Sequence, residues 1–196
     1  MHGLVNKGIE RFLVDTYGQA TWSEVASASG APEEGFEPLL TYDVGLTLQV
    51  VSAASAHLEK SENAILEDVG TYIVSNPKMD AVRRLLRFGG TDFADFVSSL
   101  DELPDRARLA IPNLDLPEIS VAELGEDRYA IDVVSDFGRF GVILAGGLRA
   151  MADDYGCLSL IEWSAEGATH ETISVHLLDG GYAAGKTFVL SAEGAP

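Results

Sequence analysis

Residues 180–187 have the types and spacing of a phosphate-binding loop, following the pattern Gly-x-x-x-x-Gly-Lys-Thr. In such a loop, backbone N–H groups at a helix start hold the phosphates and the lysine reaches the terminal ones. A strand is predicted before this loop, but only nine residues follow Thr187. We therefore expect a glycine-rich loop leading into a terminal strand at 188–190, in preference to an ATP-using site through Lys186.

The four histidines and the single cysteine lack the spacing of a metal site. His170 and His176 share one face of a predicted strand but lie roughly 20 Å apart along it, which is too far for one metal ion. His2 and His57 are distant in the sequence, and Cys157 is predicted to be a small buried apolar residue. Since no Ser-His-Asp set or nucleophile elbow occurs either, we expect no metal and no catalytic site.

A proline interrupts the helical pattern in the middle of residues 91–117. Apolar residues recur at three- and four-residue spacing from Phe93 to Leu100, which predicts one buried helical face. Pro104 takes the next inward position, and a proline inside a helix costs about 3 kcal/mol. The sequence therefore predicts that a helix breaks, kinks or restarts at Pro104.

The same stretch resembles the ligand segment of the H-NOX family, heme domains that sense nitric oxide or oxygen. Residues 100–104 read Leu-Asp-Glu-Leu-Pro, where the family has Leu-Asp-x-Leu-His. Residues 1–7, 53–55 and 66–72 are also similar to the family's sequences. The resemblance extends over roughly 180 residues, the size of one domain.

In that family the histidine binds the heme iron, and a Tyr-x-Ser-x-Arg motif clamps the heme carboxylates. The matching positions here are Pro104, Val133, Ser135 and Phe137, so of these groups only the serine is retained. Proline has no donor atom, and valine and phenylalanine cannot form charge-assisted contacts. Arg139 could substitute for the missing arginine. Although the resemblance implies heme, these residues predict that no cofactor is bound; the alternative is a heme-based gas sensor with a non-standard axial ligand.

The space that heme would fill is predicted to become a reduced apolar pocket between residues 1–60 and 91–150. An empty cleft of that size would cost on the order of 10 kcal/mol. We therefore expect closure of the lobes, filling by larger side chains, or a small apolar ligand. Pro104 and Phe137 bound this predicted pocket. Its other lining residues are predicted to be Val5, Ile73, Leu100, Leu103, Phe140 and Pro117.

The periodicity predicts an α+β fold. Helical spacing prevails up to Pro117, with a helix over 3–17, a capping box at Thr21 and helix starts at Asp43 and Ser61. Period-two alternation follows, interrupted by one helix over 139–155. The order of these elements is also the one that the H-NOX resemblance implies, and we expect a single H-NOX-like domain over 1–190. We expect a helical lobe at 1–60 packed on a mixed lobe at 61–190 that contains a four-stranded antiparallel sheet.

The chain has a net charge of −18, from 13 basic and 31 acidic residues. This charge argues against nucleic acid and against an anionic membrane, and it leaves open either a solvated surface or a basic partner. Arg83, Arg84 and Arg87 form a local basic patch facing solvent, an acidic partner or the chain's own carboxylates. We expect a cytoplasmic, non-enzymatic regulatory domain. The resemblance implies a histidine kinase or a cyclic-nucleotide enzyme as its partner.

Overall fold

The computed structural model describes residues 1–111 and 113–186, in which a group of helices precedes a four-stranded antiparallel sheet. This arrangement confirms the predicted α+β class. Short 3₁₀ turns lie at Pro77–Met79 and Leu100–Glu102. The helices are α1 (Gly3–Tyr17), α2 (Gln19–Ser29), α3 (Val44–Leu58), α4 (Glu62–Ser75), α5 (Asp80–Arg87), α6 (Phe93–Ser98), α7 (Leu103–Ala110) and α8 (Phe140–Tyr155). The strands are β1 (Glu118–Gly125), β2 (Arg128–Val134), β3 (Leu158–Ala165) and β4 (His170–Asp179).

Side-chain caps start the helices at two of the three predicted places. Asp43 accepts a hydrogen bond from the Gly45 N–H at 2.7 Å, and Ser61 caps α4 in the same way. The capping box at Thr21 is wrong. Helix α2 already begins at Gln19, because Gly18 adopts a φ of 94° that turns the chain directly from α1 into α2.

The sheet has the strand order β1-β2-β4-β3, and all neighbouring strands are antiparallel. Ile131 on β2 lies opposite Val121 on one side and Ile173 on the other. Alternate residues of β2 and β4 are buried, so one face of the sheet packs against helices while the other stays open.

Two apolar cores lie on either side of α8. The helical core contains Trp22 and other residues of α1–α4, and the sheet core contains Phe96 and inward residues of the strands. Phe140 contacts both cores. Helix α4 follows residue 60 and still supplies Leu66 to the helical core. The division at residue 60 stays a prediction, and residues 187–190 of the proposed domain lie outside the described residues.

Glycines allow α4 and α8 to cross with their backbones in contact. A Cβ atom on Gly70 would overlap the carbonyl oxygen of Ile143, and one on Gly146 would overlap that of Glu67. The hydroxyl of Thr71 donates to the Gly146 carbonyl at this crossing, at 3.3 Å. The crossing thereby joins the two cores and fixes the position of α8, which leads out of the segment containing Phe137.

Candidate functional site

Pro104 lies at the start of a new helix. Helix α6 ends at Ser98, a 3₁₀ turn follows, and α7 starts at Leu103 with Pro104 in its first turn. A helix start tolerates proline because N–H groups there have no partner within the helix. Of the break, kink or restart predicted at Pro104, the structure shows a restart. Its side chain is buried and has no atom able to ligate a metal.

The positions predicted to match the family's carboxylate clamp lie in apolar or turn environments. Val133 is fully buried in the sheet core. The Ser135 hydroxyl accepts the Gly138 N–H at 3.1 Å and so stabilises the turn before α8. Phe137 is buried against the helical core, with its ring in an edge-to-face contact with Phe140 at 5.6 Å between centroids.

Arg139, the candidate substitute for the clamp arginine, is held at the start of α4. Its Nη1 atom lies 2.6 Å from the Glu62 carboxylate and 3.5 Å from the Asn63 side-chain oxygen. The Arg139 guanidinium therefore joins the segment before α8 to α4, and its positive charge is paired with the Glu62 carboxylate.

A buried carboxylate that the sequence analysis missed lies opposite Val133 on the neighbouring strand. Glu171 is fully buried, and its two oxygens accept the Gly141 N–H and the Trp163 indole N–H, both at 2.8 Å. Gly141 belongs to the first turn of α8, where free N–H groups and the helix dipole favour a negative charge. The sequence did contain a signal for this buried carboxylate, because Glu171 occupies an inward position in the alternation of β4.

The residues predicted to line a pocket are distributed over the two cores. Val5 and Ile73 contact the helical core, Leu100 and Leu103 belong to or contact the sheet core, and Phe140 contacts both. Pro117 is buried before β1. Their role as pocket residues stays a prediction. Two cavities of about 330 and 700 Å³ lie elsewhere, and neither is lined by any of these residues.

The segment resembling a phosphate-binding loop folds back on the C-terminal end of α8. The Lys186 N–H donates to the Asp154 carbonyl at 2.8 Å, and the Ala183 N–H donates to the Gly156 carbonyl at 3.0 Å. The Lys186 ammonium lies 4.0 Å from the Asp154 carboxylate. Residues 180–186 contain no helix, while Thr187 and the strand predicted at 188–190 lie outside the described residues.

The arginines of α5 meet the chain's own carboxylates. Asp154 is 1% exposed, and its oxygens accept two hydrogen bonds from Arg83, at 2.9 and 3.1 Å. Arg87 approaches the same carboxylate to 3.7 Å while its guanidinium stacks on the Tyr155 ring. Arg84 pairs with Asp80 at 3.4 Å. Of the three alternatives for the basic patch, the structure shows contact with internal carboxylates.

The histidines and the cysteine lie apart. Among the described residues, no group of three or more histidine, cysteine or acidic side chains is arranged to hold a metal ion. The Nδ1 atom of His2 accepts the Leu4 N–H and thus caps α1, whereas His170 lies between Asp132 and Glu166. Cys157 is buried as predicted, and burial raises the pKa of its thiol.

The sequence profile of the Haem-NO-binding family matches residues 2–157. The chain is 26% identical over 117 residues to soluble guanylate cyclase gcy-31 of Caenorhabditis elegans, and 22% identical over 168 residues to soluble guanylate cyclase 89Db of Drosophila melanogaster. These matches cover 60% and 85% of this chain but only 17% and 25% of the two relatives. The chain thus corresponds to at most about a quarter of those proteins.

Solved H-NOX structures share the fold. An H-NOX protein from K. algicida superposes with a TM-score of 0.80 at 18% identity, covering 93% of this chain and 99% of that one. One from S. oneidensis gives 0.77 at 17% identity, covering 92% and 97%. H-NOX domains are sensor domains rather than catalytic ones. The chain described here is a member of this Haem-NO-binding family.

Proposed function

We propose that this domain regulates a signalling partner without a bound heme. The observation that carries the proposal is the buried ring of Pro104 at the position where the family's motif has its iron-binding histidine. A five-coordinate heme needs one strong axial donor, usually from His, Cys, Met or Tyr. Proline offers no such donor, so the family's means of holding iron is missing at this position.

The positions of the carboxylate clamp add a second, independent argument. Val133 and Phe137 are apolar and buried, and Arg139 is engaged by Glu62. The buried carboxylate of Glu171 lies opposite Val133, so heme carboxylates placed here would meet another negative charge. The residues at the axial-ligand position and at the clamp positions therefore do not fit heme.

Aromatic side chains offer a physical reason why the fold can persist without the cofactor. Phe137 contacts the helical core, and Phe140 contacts both cores. Large side chains at this junction supply dispersion contacts that an empty cleft would forfeit. We infer that the domain acts through protein contacts or by admitting a small apolar ligand beside these two rings.

The relatives support a role beside a cyclic-nucleotide enzyme. Both named relatives are soluble guanylate cyclases, and the matched segments are a minor part of each. We propose a cyclic-nucleotide enzyme or a histidine kinase as the partner, and the cytoplasm as the location. No helix within residues 1–111 and 113–186 has the length and apolar character required to cross a membrane.

The absorption spectrum of protein purified from cells supplied with a heme precursor tests this proposal. We expect no stoichiometric Soret band for the native protein. Pro104→His should restore weak heme binding at best, because Val133 and Phe137 remain at the clamp positions. A strong Soret band in the native protein that survives substitution of each histidine would instead support the heme-based sensor with a non-standard axial ligand.

A further inference from the structure

Three exposed leucines lie at one end of the sheet, where β3 begins and β4 ends. Leu158 and Leu160 belong to edge strand β3, and Leu178 lies near the end of the adjacent strand β4, where the pairing of the two strands shifts register between Leu158 and Ser159. Their exposed fractions are 39%, 51% and 55%. A group of exposed leucines rimmed by polar residues is typical of a binding surface. We call Leu158, Leu160 and Leu178 the leucine corner.

A cavity with acidic walls adjoins the leucine corner. Its volume is about 330 Å³, and Leu178 is one of its lining residues. Asp92, Asp127 and Asp179 line the same cavity, although they come from the start of α6, the β1–β2 turn and the end of β4. Cys157 also lines the cavity. Burial raises the pKa of its thiol, and the negative charges of the three aspartates raise it further.

Arg128, a cation beside the corner, approaches a carboxylate other than these three. Arg128 on β2 and Leu160 on β3 both pair with His176 on the strand between them. The Arg128 guanidinium approaches the Glu126 carboxylate to 3.8 Å. Asp92 and Asp179 accept backbone N–H groups, at 2.9 and 3.0 Å respectively, and neither bond supplies a full positive charge. The three aspartates thus place negative charge on the cavity wall beside the exposed Leu178.

We propose that the leucine corner and the acidic cavity together bind a basic amphipathic segment of a partner protein. Its apolar residues pack on the three leucines, and a lysine or arginine side chain enters the cavity. A long cationic side chain suits such a site, because its methylene stem contacts Leu177 and Leu178 while its charge reaches the carboxylates. The inference rests on the proposed regulatory function and names its partner-facing surface.

Charge selects this occupant over a second copy of the chain. Two copies would each bring a net charge of −18, and their three aspartates would face a surface of the same sign. Like charges brought together across an interface oppose association. A basic segment instead gains from the same potential, both in its rate of encounter and in its orientation.

The test uses a labelled amphipathic leucine–lysine peptide and, as a charge-reversed comparison, a leucine–glutamate peptide of the same pattern. Binding is measured by fluorescence anisotropy at physiological and at high salt, and the site is mapped by backbone amide NMR shifts. We expect only the basic peptide to bind, with the largest shifts in β3, β4 and the β1–β2 turn. Leu160→Glu should weaken binding about tenfold.

A matched pair of triple variants separates a specific site from general attraction to an acidic protein. Changing Asp92, Asp127 and Asp179 to asparagine should weaken binding about fivefold and reduce its salt dependence, since asparagine retains the capping oxygens. The control changes the exposed Asp101, Asp115 and Asp136 to asparagine, which removes the same charge elsewhere. This control should bind the peptide as the native protein does.

Several outcomes would overturn the proposal. One is equal weakening of peptide binding by the two triple variants. Another is equal weakening of peptide binding by Leu160→Glu and by Leu109→Glu. Leu109 serves as the control because it is 88% exposed and lies on α7, away from the corner. A dimer in sedimentation that Leu160→Glu dissociates would assign the corner to a second copy. Leu178→Glu serves as a second variant if Leu160→Glu fails to fold. The heme spectrum tests the proposed function separately, because it does not involve this surface.

Discussion

The region around Pro104 and Phe137 differs from the C-terminal end of α8 in the kind of side chain that it buries. Pro104, Val133 and Phe137 are buried apolar side chains, and the sequence resemblance predicts that they match the family's heme-binding positions. At the end of α8, by contrast, the buried Asp154 carboxylate is met by Arg83, with Arg87 and Lys186 close by. The first region is stabilised by filled volume and the second by paired charge.

This difference shows why matching a motif is a weaker guide than identifying each residue's partner. Lys186 fits a phosphate-binding pattern, yet its ammonium and its backbone N–H both face Asp154. Residues 100–104 resemble a heme-ligand motif, but Pro104 lacks an atom that could bind iron. In both places the surroundings of one side chain decide what the motif can do.

Removal of the buried carboxylate should have the largest effect on stability. Asp154→Ala should lower the free energy of unfolding by about 4 kcal/mol, because Arg83 and Arg87 then lose their shared buried acceptor. Urea denaturation monitored by circular dichroism measures this change. The control is Asp153→Ala at the exposed neighbouring position, which should change the same free energy little. Equal effects of the two variants would contradict a special role for the Asp154 cluster.

Removal of aromatic volume in the ligand region should have the next largest effect. Phe137→Ala should lower the free energy of unfolding by about 3 kcal/mol, because it deletes buried contacts in the helical core. The matched control is Phe88→Ala, since Phe88 is 70% exposed. Differential scanning calorimetry of both variants gives the comparison. A loss at Phe137 no larger than that at Phe88 would mean that Phe137 does not fill the core.

The same glycine-to-alanine change at two positions of the α4–α8 crossing should have different effects on stability. Gly70→Ala should destabilise the domain by about 2 kcal/mol, because its Cβ would meet the backbone of Ile143 and force the helices apart. Gly147→Ala is the control, since its Cβ would find ordinary contacts at 3.7 Å and alanine favours the helix. Thermal unfolding should therefore show a loss at Gly70 and no loss at Gly147. The opposite order would contradict the crossing geometry.

The smallest effect is confined to alkaline pH. Burial and the hydrogen bond to Asp15 raise the pKa of Tyr72 to about 12, from 10.0. The unfolded chain therefore releases this proton at lower pH than the folded one. The contribution of the protonated Tyr72 to the free energy of unfolding is fully present below pH 10 and is lost as the pH rises toward 12. Chemical denaturation across this range should show a shallower loss for Tyr72→Phe than for the native protein, and parallel curves would contradict the assignment.

Periodicity in the sequence predicted the fold, because helices and strands with one buried face leave a direct record in the spacing of apolar residues. The interruption of the helix at Pro104 and the caps at Asp43 and Ser61 followed from local chemistry in the same way. The close approach at Gly70 and the Glu171 contacts were not predicted, since each depends on residues distant in the chain. The capping box at Thr21 was wrong because Gly18 already permitted the turn.

The most direct test of the heme-free account is thermal unfolding of the native protein with and without one equivalent of ferrous heme. A ligand present at a hundredfold excess over its dissociation constant stabilises a folded protein by about 2.7 kcal/mol, which amounts to several degrees for a domain of this size. If the domain holds no heme, the midpoint stays unchanged and no Soret band from specifically bound heme develops. A rise of several degrees with a sharp Soret band would show that the region around Pro104 and Phe137 still holds heme.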